Sequence, residues 1–221
     1  MKTLSLKEVR YLYKTKSHTV RAVDGVDYDF LPGTFYAVVG RSGSGKTTLL
    51  SMLGGLDIPT EGSVSYGEKD TKSIDRDRFR LDNISIIYQS LNLLPLLTAM
   101  ENVTFPLTYR GIPKAEAVKI AAEKLGSVGI DPTMHRRLPS MLSGGEQQRV
   151  AIARALAAKT EVILADEPTG NLDTENSQNI VQLLKDLATR ENVCVIVVTH
   201  DMAVAEQADV VVKISDGRIV E

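Results

Sequence analysis

Residues 35–47 read FYAVV-GRSGSGKT: the apolar run Phe35–Val39, then Gly40, Arg41, Ser42, Gly43, Ser44, Gly45, Lys46 and Thr47. The second part completes the pattern G-x-x-x-x-G-K-[ST], and its setting between a strand and a helix is the one in which that pattern counts. Thr48–Leu53 supplies the helix. Glycines at 40, 43 and 45 let the backbone turn tightly, so that the amides of Arg41–Lys46 can face phosphate oxygens at a helix N-terminus. Lys46 is placed to reach β- and γ-phosphates, the Thr47 hydroxyl to bind Mg²⁺, and Thr48 to add a phosphate contact. This stretch sets the expectation of an α/β nucleotide-binding core.

Two further runs behave like Phe35–Val39. Val162–Ala165 and Val193–Val198 are short and continuously apolar, as parallel strands covered on both faces are. Thr174–Arg190 places Ile180, Leu183, Leu184 and Leu187 on one face and reads as a crossover helix. Leu4–Tyr13 and Val20–Phe30 are strand-like, and the second alternates partly, as a half-exposed antiparallel strand does. Asp216-Gly217 marks a closing hairpin turn. From Ser90 to Lys159 the pattern changes to helices at Thr98–Tyr109, Lys114–Val128 and Gly145–Ala158, with Thr98-x-x-Glu101 as a capping box. The expected organisation is one domain over 1–221. Residues 1–89 and 160–221 form its core, and 90–159 an inserted helical subdomain.

The ends of the apolar strands carry the acids. Asp166-Glu167-Pro168 ends the second run, and ligands of open α/β sheets bind outside the carboxyl ends of strands. Asp166 is the Mg²⁺-side carboxylate, and Glu167 the group that orients and deprotonates an attacking water. His200 follows the third run and is expected to donate to a γ-phosphate. His18 and His135 lack such a setting and read as surface residues. Cys194, the single cysteine, reads as a buried strand residue.

Residues 142–149 read LSGGEQQR. Ser143 and Glu146 form a capping box, and Gly144-Gly145 leave backbone donors unobstructed at a positive helix end. This is a second anion-binding surface without a lysine of its own. Together with the phosphate loop it resembles the ATP-binding-cassette (ABC) ATPases. That resemblance implies an α/β fold: a P-loop NTPase core with a mostly parallel sheet, an antiparallel N-terminal β portion and the inserted helices.

The same resemblance implies an ATP-hydrolysing subunit that uses ATP and Mg²⁺ and pairs with a second copy of itself. Ser143, Gly144 and Gly145 would then meet the γ-phosphate held by the other copy's Lys46. It places Gln89 where Mg²⁺ and the attacking water are sensed, Asp173 in a loop facing the opposite subunit, and Tyr13 on adenine, with Tyr11 as the alternative. Glu146 stands where glutamine is frequent, and Gly170-Asn171 where serine-alanine is common; both look like tolerated variants.

Leu53–Glu61, Leu91–Val103 and Ala165–Asp173 look closest to the branch with lipoprotein-release, macrolide and antimicrobial-peptide export and cell-division ATPases. That branch works with an integral membrane permease of few spans. The leucines of Leu91–Met100 are then either core or a groove for the permease. The alternative function is a mechanotransmitter that moves a membrane partner without transport.

Composition sets the outer bounds. With 43% hydrophobic and 24% charged residues and a net charge of −2, the chain gives no reason to expect nucleic acid as a partner. No apolar stretch approaches bilayer-spanning length, so direct membrane insertion is not expected. MKTLSLKEVR lacks a signal-peptide core. The expected location is cytoplasmic, on the inner face of the membrane through the permease.

Overall fold

The computed structural model describes residues 2–14 and 19–220. In chain order the elements are β1 (Leu4–Lys14), β2 (Thr19–Phe30), β3 (Phe35–Val39), α1 (Lys46–Leu53), β4 (Glu61–Tyr66), β5 (Lys69–Asp70), α2 (Arg76–Asn83), β6 (Ile84–Ile87) and α3 (Ala99–Tyr109). They continue with α4 (Lys114–Ser127), α5 (Gly144–Ala157), β7 (Val162–Asp166), α6 (Thr174–Glu191), β8 (Cys194–Thr199), α7 (Met202–Ala205), β9 (Val210–Ser215) and β10 (Arg218–Ile219).

Six strands form the central sheet in the order β10-β9-β3-β8-β7-β6, parallel except for the final hairpin β9-β10. Successive residues of a strand point to opposite faces, so a strand covered on both sides must be apolar throughout. On β8, Val195 and Val197 enter one core cluster with α3–α6. Cys194, Ile196 and Val198 enter the other, with α1 and the second sheet. Each such fully buried valine or leucine side chain contributes about 1.5–3 kcal/mol. Burial also pushes the Cys194 thiol up to about 12, so it stays protonated.

The second sheet is antiparallel, in the order β2-β1-β4-β5. It packs one face on the core through Leu4, Leu6, Val9, Val23, Val26, Val64 and Phe30. The helices α3, α4 and α5 pack on one another through alanines and valines, including Ala117, Ala121, Val150 and Ala153. Both expected capping boxes are present, Thr98 with Glu101 on α3 and Ser143 with Glu146 on α5.

Register sets the functional edge. Val39 pairs with Thr199, and Asp166 with Val198. Gly40, Glu167 and His200 therefore leave the sheet side by side.

Sequence patterning leaves out β4, β5, β6, α2 and α7, and marks β9 and β10 only through the turn between them. His135 is also corrected: it is half-buried, and its Nε2 is enclosed without a partner among the described residues. The cause is backbone pairing of this segment with the start of α3, Met100 N to His135 O at 3.0 Å and Ala99 N to Arg137 O at 2.8 Å. His18 lies outside the described residues.

Candidate nucleotide site

A cleft of about 750 Å³ opens at the carboxyl edge of the central sheet. It brings together Tyr13, Ser42, Gly43, Gly45, Lys46, Thr47, Thr48, Gln89, Asp166, Glu167 and His200 from distant parts of the sequence. Val20 and Ala22 of β2 also line it, although apolar strand residues carry no chemical signal in a sequence.

The phosphate loop is shaped by what its glycines touch. Gly45 has φ 103°, and a Cβ there would lie 2.1 Å from the carbonyl oxygen of Ala22. Only glycine fits. Gly40 is equally closed, with the Ile214 carbonyl oxygen 2.3 Å from the place of a Cβ. The hairpin turn Asp216-Gly217 (φ 47° and 77°) supports the loop from below, since Gly217 N donates to Ser44 O at 3.0 Å. Ser44 is itself buried, its hydroxyl unpartnered among the described residues.

No side chain caps α1, and no acid lies in its first turn. Its N-terminal amides and partial positive charge thus face the cleft free for an anion. The Lys46 ammonium donates to Gly40 O at 2.8 Å and Arg41 O at 2.9 Å. Tyr13 is 46% exposed, and its hydroxyl lies 3.3 Å from Thr48 Oγ1. Tyr11 packs edge-on against it and bonds to Asp57 instead. Tyr13 is thus the tyrosine that faces the cleft.

The acidic side is equally organised. Thr47 Oγ1 donates to Asp166 Oδ2 at 3.1 Å. Burial raises the Asp166 pKa, with the Thr47 hydrogen bond opposing and the Glu167 charge adding to the rise. Among the described residues no group of three or more His, Cys, Asp or Glu forms a metal centre. Thr47, Asp166 and Gln89 instead offer a few hard oxygen donors. That set suits Mg²⁺, which keeps several waters and takes further ligands from phosphates.

Glu167 holds φ 48°, an uncommon conformation for a residue with a side chain and of the kind kept at functional sites. Its amide donates to Val198 O at 2.9 Å. Its carboxylate accepts from Thr199 Oγ1 at 3.2 Å and His200 N at 3.1 Å, and meets His200 Nδ1 at 2.6 Å. Thr199 belongs to no motif of its own, and its place directly before His200 is the one sequence signal for it.

The hydrogen bond to Glu167, reinforced by its charge, raises the His200 pKa. A raised histidine pKa adds stability fully below the ordinary value of about 6.5, and that stability is lost as pH rises through the elevated folded value. An NMR titration of His200 is expected to show the elevated pKa, falling back toward the ordinary value in Glu167→Gln. An unchanged titration in that variant would contradict the pairing.

The LSGGEQQR element stands apart. Ser143, Gly144, Gly145 and Asp173 do not line the cleft that holds their own chain's Lys46. Ser143 N donates to Glu146 Oε2 at 2.7 Å, and Glu146 N to Ser143 Oγ at 3.3 Å. Gly144 has nothing within 4 Å of the place of a Cβ, so this helix end is open. Asp173 caps α6 through Asn176 N at 2.8 Å, which together with the Asn176 side chain lowers its pKa. A larger cleft of about 860 Å³ lies elsewhere, between α2, β6, α3 and α5, and contains no phosphate-loop residue. Just beyond its Asn92 wall, Leu94 and Leu96 are 40% and 87% exposed. No helix among the described residues is long and apolar enough to cross a membrane.

A strand, glycine loop and open helix end, faced by an acidic pair from a neighbouring strand, define a P-loop nucleotide-binding protein. The family profile described as "ABC transporter" matches residues 23–170. The chain is 43% identical over 217 residues to the uncharacterized ABC transporter ATP-binding protein YclH of Bacillus subtilis, covering 98% of this chain and 95% of that one. It is 41% identical to the macrolide export ATP-binding/permease protein MacB of Marinobacter nauticus, covering 99% of this chain but 34% of that longer protein.

Among solved structures, it matches the dimeric structure of the ABC transporter cassette MJ0796 with a TM-score of 0.95 and 40% identity, covering 99% of this chain and 97% of the other. MJ0796 is the Methanocaldococcus jannaschii protein. A second dimeric structure, of a post-hydrolysis state of the MJ0796 cassette bound to ADP and Pi, matches equally well, with a TM-score of 0.95 and 39% identity. The chain belongs to the ABC transporter family, as its ATP-binding ATPase component.

Proposed function

We propose that this chain homodimerises on ATP and thereby drives an integral membrane permease of few spans, for export or release of a peptide, drug or lipoprotein. The observation that carries this reading is the separation of its two anion surfaces. Lys46, Asp166, Glu167 and His200 share one cleft, while the open helix end at Ser143-Gly144-Gly145 lies outside it. One chain holds half of each site, and a second copy brings the other half. That the two MJ0796 cassette structures are dimeric supports a second copy as the partner.

In the complete site the α1 amides and Lys46 hold the phosphates, and Tyr13 stacks on the adenine. Mg²⁺, held by Thr47 with Asp166 and Gln89, would neutralise charge developing on the β- and γ-oxygens. Glu167 takes a proton from the water whose oxygen attacks the γ-phosphorus, while the bond to the ADP oxygen breaks. His200 donates toward the γ-phosphate, and Thr199 keeps the Glu167 carboxylate in place. Ser143, Gly144 and Gly145 of the second copy close over the γ-phosphate, and Asp173 lies at the same junction.

In this reading 1–89 and 160–221 act as one body and 90–159 as a helical subdomain. The cleft between α2, β6, α3 and α5, lined by Asp77, Arg78, Arg80 and Arg110 and flanked by exposed Leu94 and Leu96, receives an amphipathic helix of the permease at the cytoplasmic face of the membrane. MacB, which joins ATP-binding and permease parts in one name, supports the export assignment. ATP turnover per chain is expected to rise with chain concentration until dimers saturate. A turnover independent of concentration across that range would contradict the shared site.

A further inference from the structure

Downstream of Gln89, Leu91 (φ 61°) and Asn92 (φ 47°) both occupy the left-handed region. Two adjacent side-chain-bearing residues keep such a conformation only where surrounding contacts over-determine it. Local bonds supply part of them, Leu91 N to Tyr88 O at 3.0 Å and Ser90 Oγ to Asn92 Oδ1 at 2.9 Å, and α5 supplies the rest. Arg154 Nη2 donates to Leu91 O at 2.9 Å, and Nη1 to Asn92 O at 2.7 Å. A planar guanidinium with two fixed donors suits a pair of carbonyls in a way a single ammonium does not.

The other end of the segment is held by Asn102 of α3, which is 1% exposed. Its amide nitrogen donates to the carbonyls of Leu94, Leu97 and Thr98, and its oxygen accepts from Leu94 N at 2.8 Å. Leu94 is gripped by its backbone in the Asn102 clamp, and its side chain and that of Leu96 are exposed. Arg154 sits in the last turn of α5, about 16 Å along one helix from Ser143 at 1.5 Å per residue.

We propose that Arg154 is a positioning residue that fixes the Leu91–Leu96 segment against α5 and, through that helix, holds Ser143-Gly144-Gly145 where another copy's ATP site needs them. The inference rests on the reading that these three residues complete another copy's ATP site. A shift of Leu91–Asn92 is passed to α5 through two charge-assisted hydrogen bonds, and α5 carries it to its N-terminus as a rigid rod. Nothing in this route touches the phosphate loop, so ATP binding and signature placement are separable.

The test compares wild type, Arg154→Met and Arg154→Lys in the full chain, by hydrogen–deuterium exchange and steady-state ATP hydrolysis. In Arg154→Met, exchange over residues 90–97 is expected to accelerate about tenfold or more, with α3 and the rest of α5 unchanged. Its kcat falls by about 10–100-fold with KM for ATP held, because misplacement rather than lost binding is the defect. Arg154→Lys falls between the two in both readouts.

Unchanged protection of 90–97, loosening spread over all of α3 and α5, or local loosening with an unchanged kcat would each overturn the proposal. A wild-type chain that neither dimerises nor hydrolyses ATP would instead contradict the proposed function, and the exchange data would still decide whether Arg154 clamps the segment.

Discussion

Glu167→Gln is expected to lower ATP turnover by about 10²–10⁴-fold, the range associated with loss of a general base, while ATP binding persists. The substitution is nearly isosteric and leaves the left-handed backbone at φ 48° no worse placed. The amide oxygen can still accept from His200 N, and the amide nitrogen can donate to the Thr199 hydroxyl oxygen, so the strand ends stay in register. What disappears is the ability to take a proton from water. The cleft residues that face phosphate, Lys46 and the α1 amides, are untouched. Single-turnover hydrolysis alongside equilibrium nucleotide binding separates the two quantities. Near-normal turnover would remove Glu167 from the base role.

Lys46→Ala is expected to act on the other quantity. Its ammonium stands at the phosphate loop, within 2.8–2.9 Å of the Gly40 and Arg41 carbonyls, on a helix end with no other cation in its first turn. Hydrogen bonds to charged groups contribute about 1.5–3 kcal/mol each, so losing contacts to two phosphates weakens ATP binding by roughly 10²–10⁴-fold. The fold itself loses little, because the loop geometry is set by Gly40, Gly45 and the Gly217–Ser44 hydrogen bond. Calorimetric ATP titration with a thermal melt checks both halves. Unaltered affinity would mean that the phosphates are held elsewhere.

How much could be read in advance depended on how local each signal was. Phe35–Val39 was legible to the residue because a strand buried on both faces is a continuous apolar run with glycine behind it. Both capping boxes were legible because donor and acceptor lie three residues apart. β6 was not, since Ile84–Ile87 is four residues long and its partner β7 begins 78 residues later, at Val162. β4, reading EGSVSY, turns only Val64 and Tyr66 inward, an alternation two residues deep after a Gly62 that fits against the Glu8 carbonyl oxygen, too short to stand out as a strand.

The site divides in the same way. The phosphate loop, Asp166-Glu167 and His200 sit at strand ends that the sequence marks with glycine, acid or histidine. Thr199, Arg154 and Asn102 act through tertiary hydrogen bonds. Their partners lie in other segments or are backbone carbonyls, which no residue pattern announces. His135 is the converse case, drawn into half-burial by main-chain bonds to α3.

In the proposed dimer the LSGGEQQR surface of a second copy completes each ATP site, and the mass of the Glu167→Gln chain in solution reports that pairing. With Mg²⁺ and ATP that variant is expected to shift from the 24.1 kDa chain to a dimer of about twice that mass holding two ATP molecules. Adding Ser143→Arg should abolish the dimer and leave ATP bound to the single chain. A chain that stays monomeric with ATP, or a dimer indifferent to Ser143→Arg, would rule out a site shared between two copies.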